Sequence, residues 1–252
     1  MKAFLALAIS WACVNAVQAQ DFAKGKVYLD VNKNGKLDKN EQGIASVSVS
    51  NGREVTTTDK DGNYQLPVGN DNIIFVVKPT GYALPLDENN HPKFYYIHKV
   101  NGSPVSKYPA VAATGKIPAA VNFAMYQQDE DPNFSAFVFG DPQAYTEEEL
   151  AYFKNGVINE ISDKTIAKFG ISLGDLVGDD LSLQPKYKSV ISTLGLPWYN
   201  VMGNHDMNYD AKLMNRSSGS LAPIIMRSTM EIRILSFLII SFIRIHGQVK
   251  VI

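Results

Sequence analysis

Hydrophobic and polar residues follow two different rhythms along this chain of 252 residues. From Gln20 to Gln128 the apolar residues come in short runs, several alternating with period two: Lys26–Leu29, Ala45–Val49, Asn63–Leu66, Ile73–Val77, Phe94–Ile97 and Val121–Met125. Turn signals at Asn51-Gly52, Asp61-Gly62, Thr80-Gly81 and Asn101-Gly102 separate them. No helical period of useful length intervenes, so the pattern predicts a small antiparallel β-sandwich. His91, in a polar loop, and His98, after a strand, are expected at the surface. Gln127 to Asn133 is polar, acidic and contains Pro132, and reads as a domain boundary. Beyond it the rhythm changes. Phe134–Phe139 is a predicted strand, and Thr146-Glu147-Glu148-Glu149 opens a helix with a capping-box-like start and acidic residues in its first turn. Leu150, Phe153, Val157, Ile158 and Ile161 supply its apolar stripe. Ile171–Leu173 is the next strand, Pro185–Leu194 a second helix and Tyr199–Met202 a third strand, which together predict βαβ units of a mostly parallel sheet.

Three of these strands end alike. Phe137-Val138-Phe139-Gly140 runs into Asp141-Pro142-Gln143, Ile171-Ser172-Leu173-Gly174 into Asp175, and Tyr199-Asn200-Val201-Met202-Gly203 into Asn204-His205-Asp206. The carboxyl ends of parallel strands form the functional crevice of an open α/β sheet, and a Gly at each exit lets the backbone approach whatever sits there. A turn has no need for the His of Gly-Asn-His-Asp.

A second candidate lies in the β region. Asp30, Asn32, Asn34, Lys36, Asp38 and Glu41 occupy alternate or closing positions of a calcium-loop pattern, with Gly35 at the sharp turn and Glu41 able to close the site with two oxygens. Only three carboxylates contribute, so weak to moderate affinity is expected, as suits calcium-rich surroundings outside the cytosol. The strand-like Val27–Leu29 before the loop argues against a helix–loop–helix pair.

Composition narrows the classes. Hydrophobic residues make up 45% and charged residues 19%, as in a globular protein with a sizeable core. The net charge of −1 and the lack of a basic stripe argue against a nucleic-acid partner. Met1-Lys2, an apolar segment to Val17 and the exit Val17-Gln18-Ala19 predict a signal peptide over residues 1–19, hence a secreted or periplasmic protein. A lipoprotein leader with Cys13 lipidated is the rival, weakened by Ser10-Trp11-Ala12 before it. The apolar run is shorter than the roughly 20 residues a membrane span needs. With Cys13 in the leader, no disulfide is expected in the mature chain.

The motifs carry two resemblances. Residues Gly25 to Leu66, with Glu41-Gln42-Gly43-Ile44 and Thr58-Asp59-Lys60-Asp61-Gly62-Asn63-Tyr64, resemble the B-repeat-like or prealbumin-like modules of secreted proteins. That likeness implies a spacer or docking module. Gly140-Asp141-Pro142-Gln143, Gly174-Asp175-Leu176-Val177-Gly178-Asp179 and Gly203-Asn204-His205-Asp206 resemble the first three motifs of the calcineurin-like metallophosphoesterases. The resemblance spans Phe134 to Asp210 and implies an α/β region built as a calcineurin-like β-sandwich with flanking helices, here incomplete, after the N-terminal β-sandwich. It implies hydrolysis of phosphomonoesters or phosphodiesters with two divalent transition metals (Mn, Fe or Zn). Asp141 and Gln143 would bind the first metal, Asp175 would bridge both, and Asn204 would bind the second. His205, oriented by Asp206, would stabilise or protonate the phosphoryl oxygens. Two ions roughly 3.5–4 Å apart need a shared carboxylate, and an imidazole has the right pKa to protonate a leaving alkoxide near neutrality. Gln143 stands where most members have His and is a weaker ligand.

The family's site also needs a lone His and a Gly-His-x-His further on, and neither is present. His246 is the one later histidine. Residues 213–252 shift in composition, with an Ile-rich run at Ile232–Ile245 that is an aggregation hazard and is short and Arg-flanked for a membrane span. Read one frame over, with wobble bases free, codons 214 to 240 can give ESFERIFGPNYYAFNYGNTHFIIFDN, which looks like the segment after Gly-Asn-His-Asp in this family. The tail is therefore expected to be frameshifted and the activity of the chain impaired. Two rival readings are a calcium-stabilised non-catalytic binding module carrying a vestigial enzyme fragment, and a protein tethered to a membrane by the Ile-rich run.

Overall fold

A computed structural model describes residues 20–104, 107–108, 111–201 and 203–206. The signal-peptide and tail expectations lie outside the described residues. The described chain is mostly β-sheet with few helices, as a β-sandwich requires. In chain order the elements are β1 (Asp21–Leu29), β2 (Ser48–Ser50), β3 (Val55–Thr57), β4 (Asn63–Val68), β5 (Asp71–Val76), β6 (Tyr82–Ala83), β7 (Tyr95–Lys99), β8 (Phe123–Gln127), β9 (Ala136–Phe139), α1 (Glu147–Phe153), β10 (Phe169–Leu173), α2 (Gln184–Ser192) and β11 (Trp198–Val201).

The first eight strands form two four-stranded sheets, ordered β4-β1-β8-β6 and β3-β2-β5-β7. Their inner faces bury Val27, Val47, Val49, Leu66, Ile74, Val76 and Met125. One pair departs from the expected all-antiparallel arrangement. β1 lies parallel to β8, with Val27 opposite Phe123 and Leu29 opposite Met125. Almost the whole module intervenes between the two strands, which leaves ample chain for the crossover that a parallel pair requires. β3 and β6 are short and carry little apolar signal, so the pattern along the chain does not predict them.

β11, β10 and β9 form a parallel sheet in that order. Alternation along each strand sends successive side chains to opposite faces. Phe137, Phe139 and Trp198 meet α1 and α2 through Leu150, Tyr187, Val190 and Ile191. Val138, Ile171, Tyr199 and Val201 pack instead against the apolar core of the β module. The parallel sheet is thus a middle layer between the helices and the sandwich.

Local signals explain the helices. Thr146 caps α1 by accepting the Glu149 N–H at 3.1 Å. The reciprocal bond of the predicted capping box lands one residue earlier, because Glu149 accepts the N–H of Tyr145. After Phe153 the helix widens into a π turn over Lys154–Ile158. The added residue rotates the stripe, so Ile158 is buried while Val157 is exposed, contrary to the expected Val157 contact.

The two module histidines are not at the surface. His98 is buried on β7, within 3.4 Å of the Thr114 hydroxyl. His91 lies 2.9 Å (Nε2) from the Asn200 side-chain amide on β11. Asn90, beside it, accepts the Trp198 N–H through its carbonyl at 2.9 Å and donates to the Ser192 carbonyl at 3.0 Å. A polar loop looks solvated in sequence, but here it covers the edge of β11. Burial holds the His91 imidazole below its ordinary pKa.

Candidate functional site

The register of the parallel sheet decides where the three strand-end motifs lie. Phe139 pairs with Ser172, and Leu173 with Val201. All three strands therefore end at one edge, and Asp141, Asp175 and Asn204 follow their exits from the same side. The turns there are tight. Among the described residues six non-glycine positions have positive φ, and three of them are Asp141 (52°), Gln143 (38°) and Asp175 (47°). Each such backbone costs on the order of 1–3 kcal/mol unless the surroundings hold it, and such residues cluster at functional sites.

Hydrogen bonds between the loops supply that hold. Gln143 donates its N–H to the Asp175 carbonyl at 2.7 Å, and Gly178 donates to the Ala144 carbonyl at 2.8 Å. His205 donates its backbone N–H to Asp175 Oδ1 at 2.9 Å. Gly203 is required at its position, because a Cβ there would stand 1.9 Å from Asp175 Oδ1 and 2.3 Å from the Asp175 nitrogen.

Asp206 is fully buried. Its carboxylate accepts the Leu176 N–H at 3.0 Å and the Gly203 N–H at 2.9 Å, tying the second loop to the third. Burial raises its pKa, and these N–H bonds oppose the rise. The expected role of Asp206 in orienting the His205 ring is taken by another carboxylate. His205 Nδ1 lies 2.8 Å from Asp179 Oδ1. A carboxylate saturated by backbone donors at the loop base cannot also reach the imidazole. The Asp179 hydrogen bond, followed by the charges of Asp179, Asp175 and Asp141, raises the His205 pKa. With Asp179 fixing the Nδ1 proton, Nε2 is the nitrogen left to exchange a proton with a ligand.

Sequence reasoning missed two residues here. Asp179 sits inside the quoted Gly-Asp-Leu-Val-Gly-Asp motif, so its carboxylate was a signal in plain view. Tyr145 gave a weaker one, as an aromatic residue immediately before the Thr146 cap. Its ring lies 6.2 Å from the His205 ring at 76°, and its hydroxyl accepts from Gln143 Nε2 at 3.1 Å.

The residues present do not fit a two-metal site. The candidate donors are two carboxylates, Asp141 and Asp175, and two amides, Gln143 and Asn204, with no imidazole ligand. One Asp175 oxygen already accepts the His205 N–H. Among the described residues no group of three or more His, Cys, Asp and Glu side chains is placed to hold a metal ion. Asn204 is exposed at the rim.

The second candidate folds as a self-closed loop. Asp30, only 1% exposed, accepts the N–H groups of Asn34 at 3.2 Å and Gly35 at 2.7 Å. Asn32 and Asn34 both donate to Asp38 Oδ2 at 2.8 Å, and these bonds, Asn32's foremost, lower the Asp38 pKa. Glu41 accepts the Val31 and Asp38 N–H groups, each at 3.0 Å. Lys36 contributes its own N–H to Asn34 Oδ1 at 2.7 Å.

The β module also carries the relationship to known proteins. Residues 31–108 match the family described as N terminal of calcineurin-like phosphoesterase. The match indicates a phosphoesterase, and so hydrolase, relationship, and assigns no specific activity or metal site; the family generally uses divalent metals. Colossin-A of Dictyostelium discoideum is 43% identical over 61 residues, which is 23% of this chain and, to the nearest per cent, 0% of that protein. The chain thus spans a minute part of the curated relative it matches. A mutant of the shaft pilin spaA of Lactobacillus rhamnosus GG superposes with a TM-score of 0.28 at 12% identity, covering 52% of this chain and 58% of the pilin. That likeness is too slight to assign a fold. Among the described residues no helix is long and apolar enough to cross a membrane.

Proposed function

We propose that this chain is an exported, metal-dependent phosphoesterase of the calcineurin-like type acting on phosphomonoesters or phosphodiesters, with activity impaired by an incomplete donor set. The observation that carries the reading is the convergence of Gly140-Asp141, Gly174-Asp175 and Gly203-Asn204-His205 on one sheet edge, with strained backbone at Asp141, Gln143 and Asp175. His205, paired with Asp179, is the proton donor to the leaving oxygen. The family match to residues 31–108 supports the reading from the neighbouring module. The tail beyond residue 212 is frameshifted in this proposal, and stops in the alternative frame between codons 214 and 240 would disprove that part.

The test is hydrolysis of a chromogenic phosphate ester with Mn²⁺ added, compared with His205→Ala. Slow turnover that disappears in the variant supports the proposal. Turnover unchanged in His205→Ala rejects the site. Two stoichiometric transition-metal ions on the purified chain would reject the incomplete donor set.

A second reading has its own observation. Asn32, Asn34 and Asp38 converge in a loop built on the buried Asp30, within the segment that matches the family. In that reading the module is a calcium-stabilised binding unit and the sheet beyond it does no chemistry. A melting temperature raised by millimolar Ca²⁺, and not in Asp38→Ala, together with no hydrolysis under any metal, would favour it.

A further inference from the structure

Tyr145 stands between the two side chains whose orientation matters most at the sheet edge. Its hydroxyl receives the Gln143 Nε2 donor at 3.1 Å, and its ring meets the His205 imidazole edge-to-face, with centroids 6.2 Å apart. A centroid distance of about 4.5–7 Å in that geometry is attractive. The ring also rests on Gly178. A Cβ at that glycine would lie 2.4, 2.6 and 2.7 Å from three Tyr145 ring carbons. Gly178 is therefore a seat, and any larger residue would push the ring off it. The backbone of Tyr145 is pinned too, since its N–H is accepted by Glu149 in the first turn of α1. A tyrosine held this firmly still leaves 48% of its surface in solvent. Burial of apolar surface therefore cannot be the main reason for the arrangement.

We infer that Tyr145 is a positioning residue of this site: its hydroxyl sets which end of the Gln143 carboxamide is presented, and its ring sets the plane of the His205 imidazole. The amide nitrogen is committed to the phenol, so the carboxamide oxygen is the end left for a ligand. The imidazole is held from two directions, by Asp179 at Nδ1 (2.8 Å) and by the Tyr145 ring. The half-exposed Tyr145 ring stands beside the imidazole, so a planar, apolar leaving group would find a stacking partner there. The inference rests on the reading of this edge as a phosphoesterase site for its kinetic consequence, and on geometry alone for its structural one.

The test uses the full chain with Tyr145→Phe, Tyr145→Ala and Gly178→Ala. NMR signals of the His205 ring protons and the Gln143 side-chain amide are followed, with the Trp198 indole signal as a check that the sheet is intact. Tyr145→Phe should move the Gln143 amide and leave the His205 ring signals in place. Tyr145→Ala should move both, and Gly178→Ala should reproduce that result although the phenol is retained. Where turnover is measurable, Tyr145→Phe should lower kcat roughly threefold to tenfold, the equivalent of one hydrogen bond. Tyr145→Ala should in addition raise KM more for an aryl phosphate than for an alkyl phosphate. His205 ring signals unmoved in Tyr145→Ala, or moved equally in Tyr145→Phe, would overturn the inference whether or not the chain hydrolyses anything. Shifts as expected without any turnover would uphold the positioning and count against the phosphoesterase reading alone.

Discussion

Replacing Asp206 by Ala should destabilise this protein more than any other single change at the sheet edge. Asp206 has no exposed surface and serves the N–H groups of Leu176 and Gly203. Leu176 is itself 2% exposed, so water cannot replace the lost acceptor at that end. A buried donor left without a partner costs about 1–3 kcal/mol, so the Leu176 N–H sets a loss of that size, and the Gly203 N–H, which is only partly buried, adds less. That is a large part of a typical stability of about 5–15 kcal/mol. Asp206→Asn keeps an acceptor oxygen for these donors and sheds a charge that burial disfavours, so it should lose less than Asp206→Ala. Urea titration of the three proteins, followed by the fluorescence of Trp198, reads the difference as a shift in midpoint at constant slope. The same carboxylate gives a pH signature. Its folded pKa is raised, so the folded state holds its proton more tightly than the unfolded chain. Asp206 therefore stabilises the fold most at pH below its unfolded value, and that part is lost as pH rises through the raised folded value. Asp206→Asn should flatten this slope. Asp206→Ala within about 0.5 kcal/mol of the parent, the spread of an ordinary surface change, would refute the account of a carboxylate that ties the loops together.

Gly170→Ala places a Cβ 1.8 Å from the buried Trp198 ring and should cost about 3 kcal/mol or more by overpacking, whereas Gly156→Ala meets nothing within 4 Å and should be neutral or slightly stabilising. Both are measured by thermal unfolding. The raised His205 pKa comes first from Asp179, so Asp179→Asn should bring it down toward the ordinary imidazole value in an NMR titration. The attraction is fully present below the unfolded imidazole pKa and fades as pH rises through the folded one, so the stability lost in Asp179→Asn should be greatest in mildly acid solution and shrink toward alkaline pH. Gly203→Ala should displace Asp175 from its 2.9 Å bond with the His205 N–H and lower hydrolysis and stability together.

Much of this organisation was legible in the residues. Period two and turn pairs marked the strands of the module, and the Thr146 cap with its acids marked the start of α1. Apolar runs ending at Gly140, Gly174 and Gly203 marked the three strand exits that carry the candidate chemistry. Legibility failed where a distant segment changed the local meaning. Val157 fits a helical stripe, but the π turn at Lys154–Ile158 rotated it outward and Ile158 inward. His91 and His98 look solvated among polar neighbours, and packing buried His98 fully and His91 in part. Asp206, the neighbour of His205 in sequence, looked like its partner. The partner in space is Asp179, brought there because hydrogen bonds at Asp175 and Leu176 tie the loop after β10 to the loop after β11.

The sequence by itself determined the two hydrophobic rhythms, the three glycine exits and the kind of groups beyond them, because strand period, turn chemistry and residue type are local. Only the tertiary structure decided that the three exits share one edge, since that depends on the pairing of Phe139 with Ser172 and Leu173 with Val201. It alone showed that the parallel sheet is a layer packed on the β module and not a separate body, because the faces of Val138 and Ile171 are assigned by what lies against them. It also divided the labour of two aspartates, one sealing the loop base and one holding the imidazole, which no spacing along the chain could distinguish.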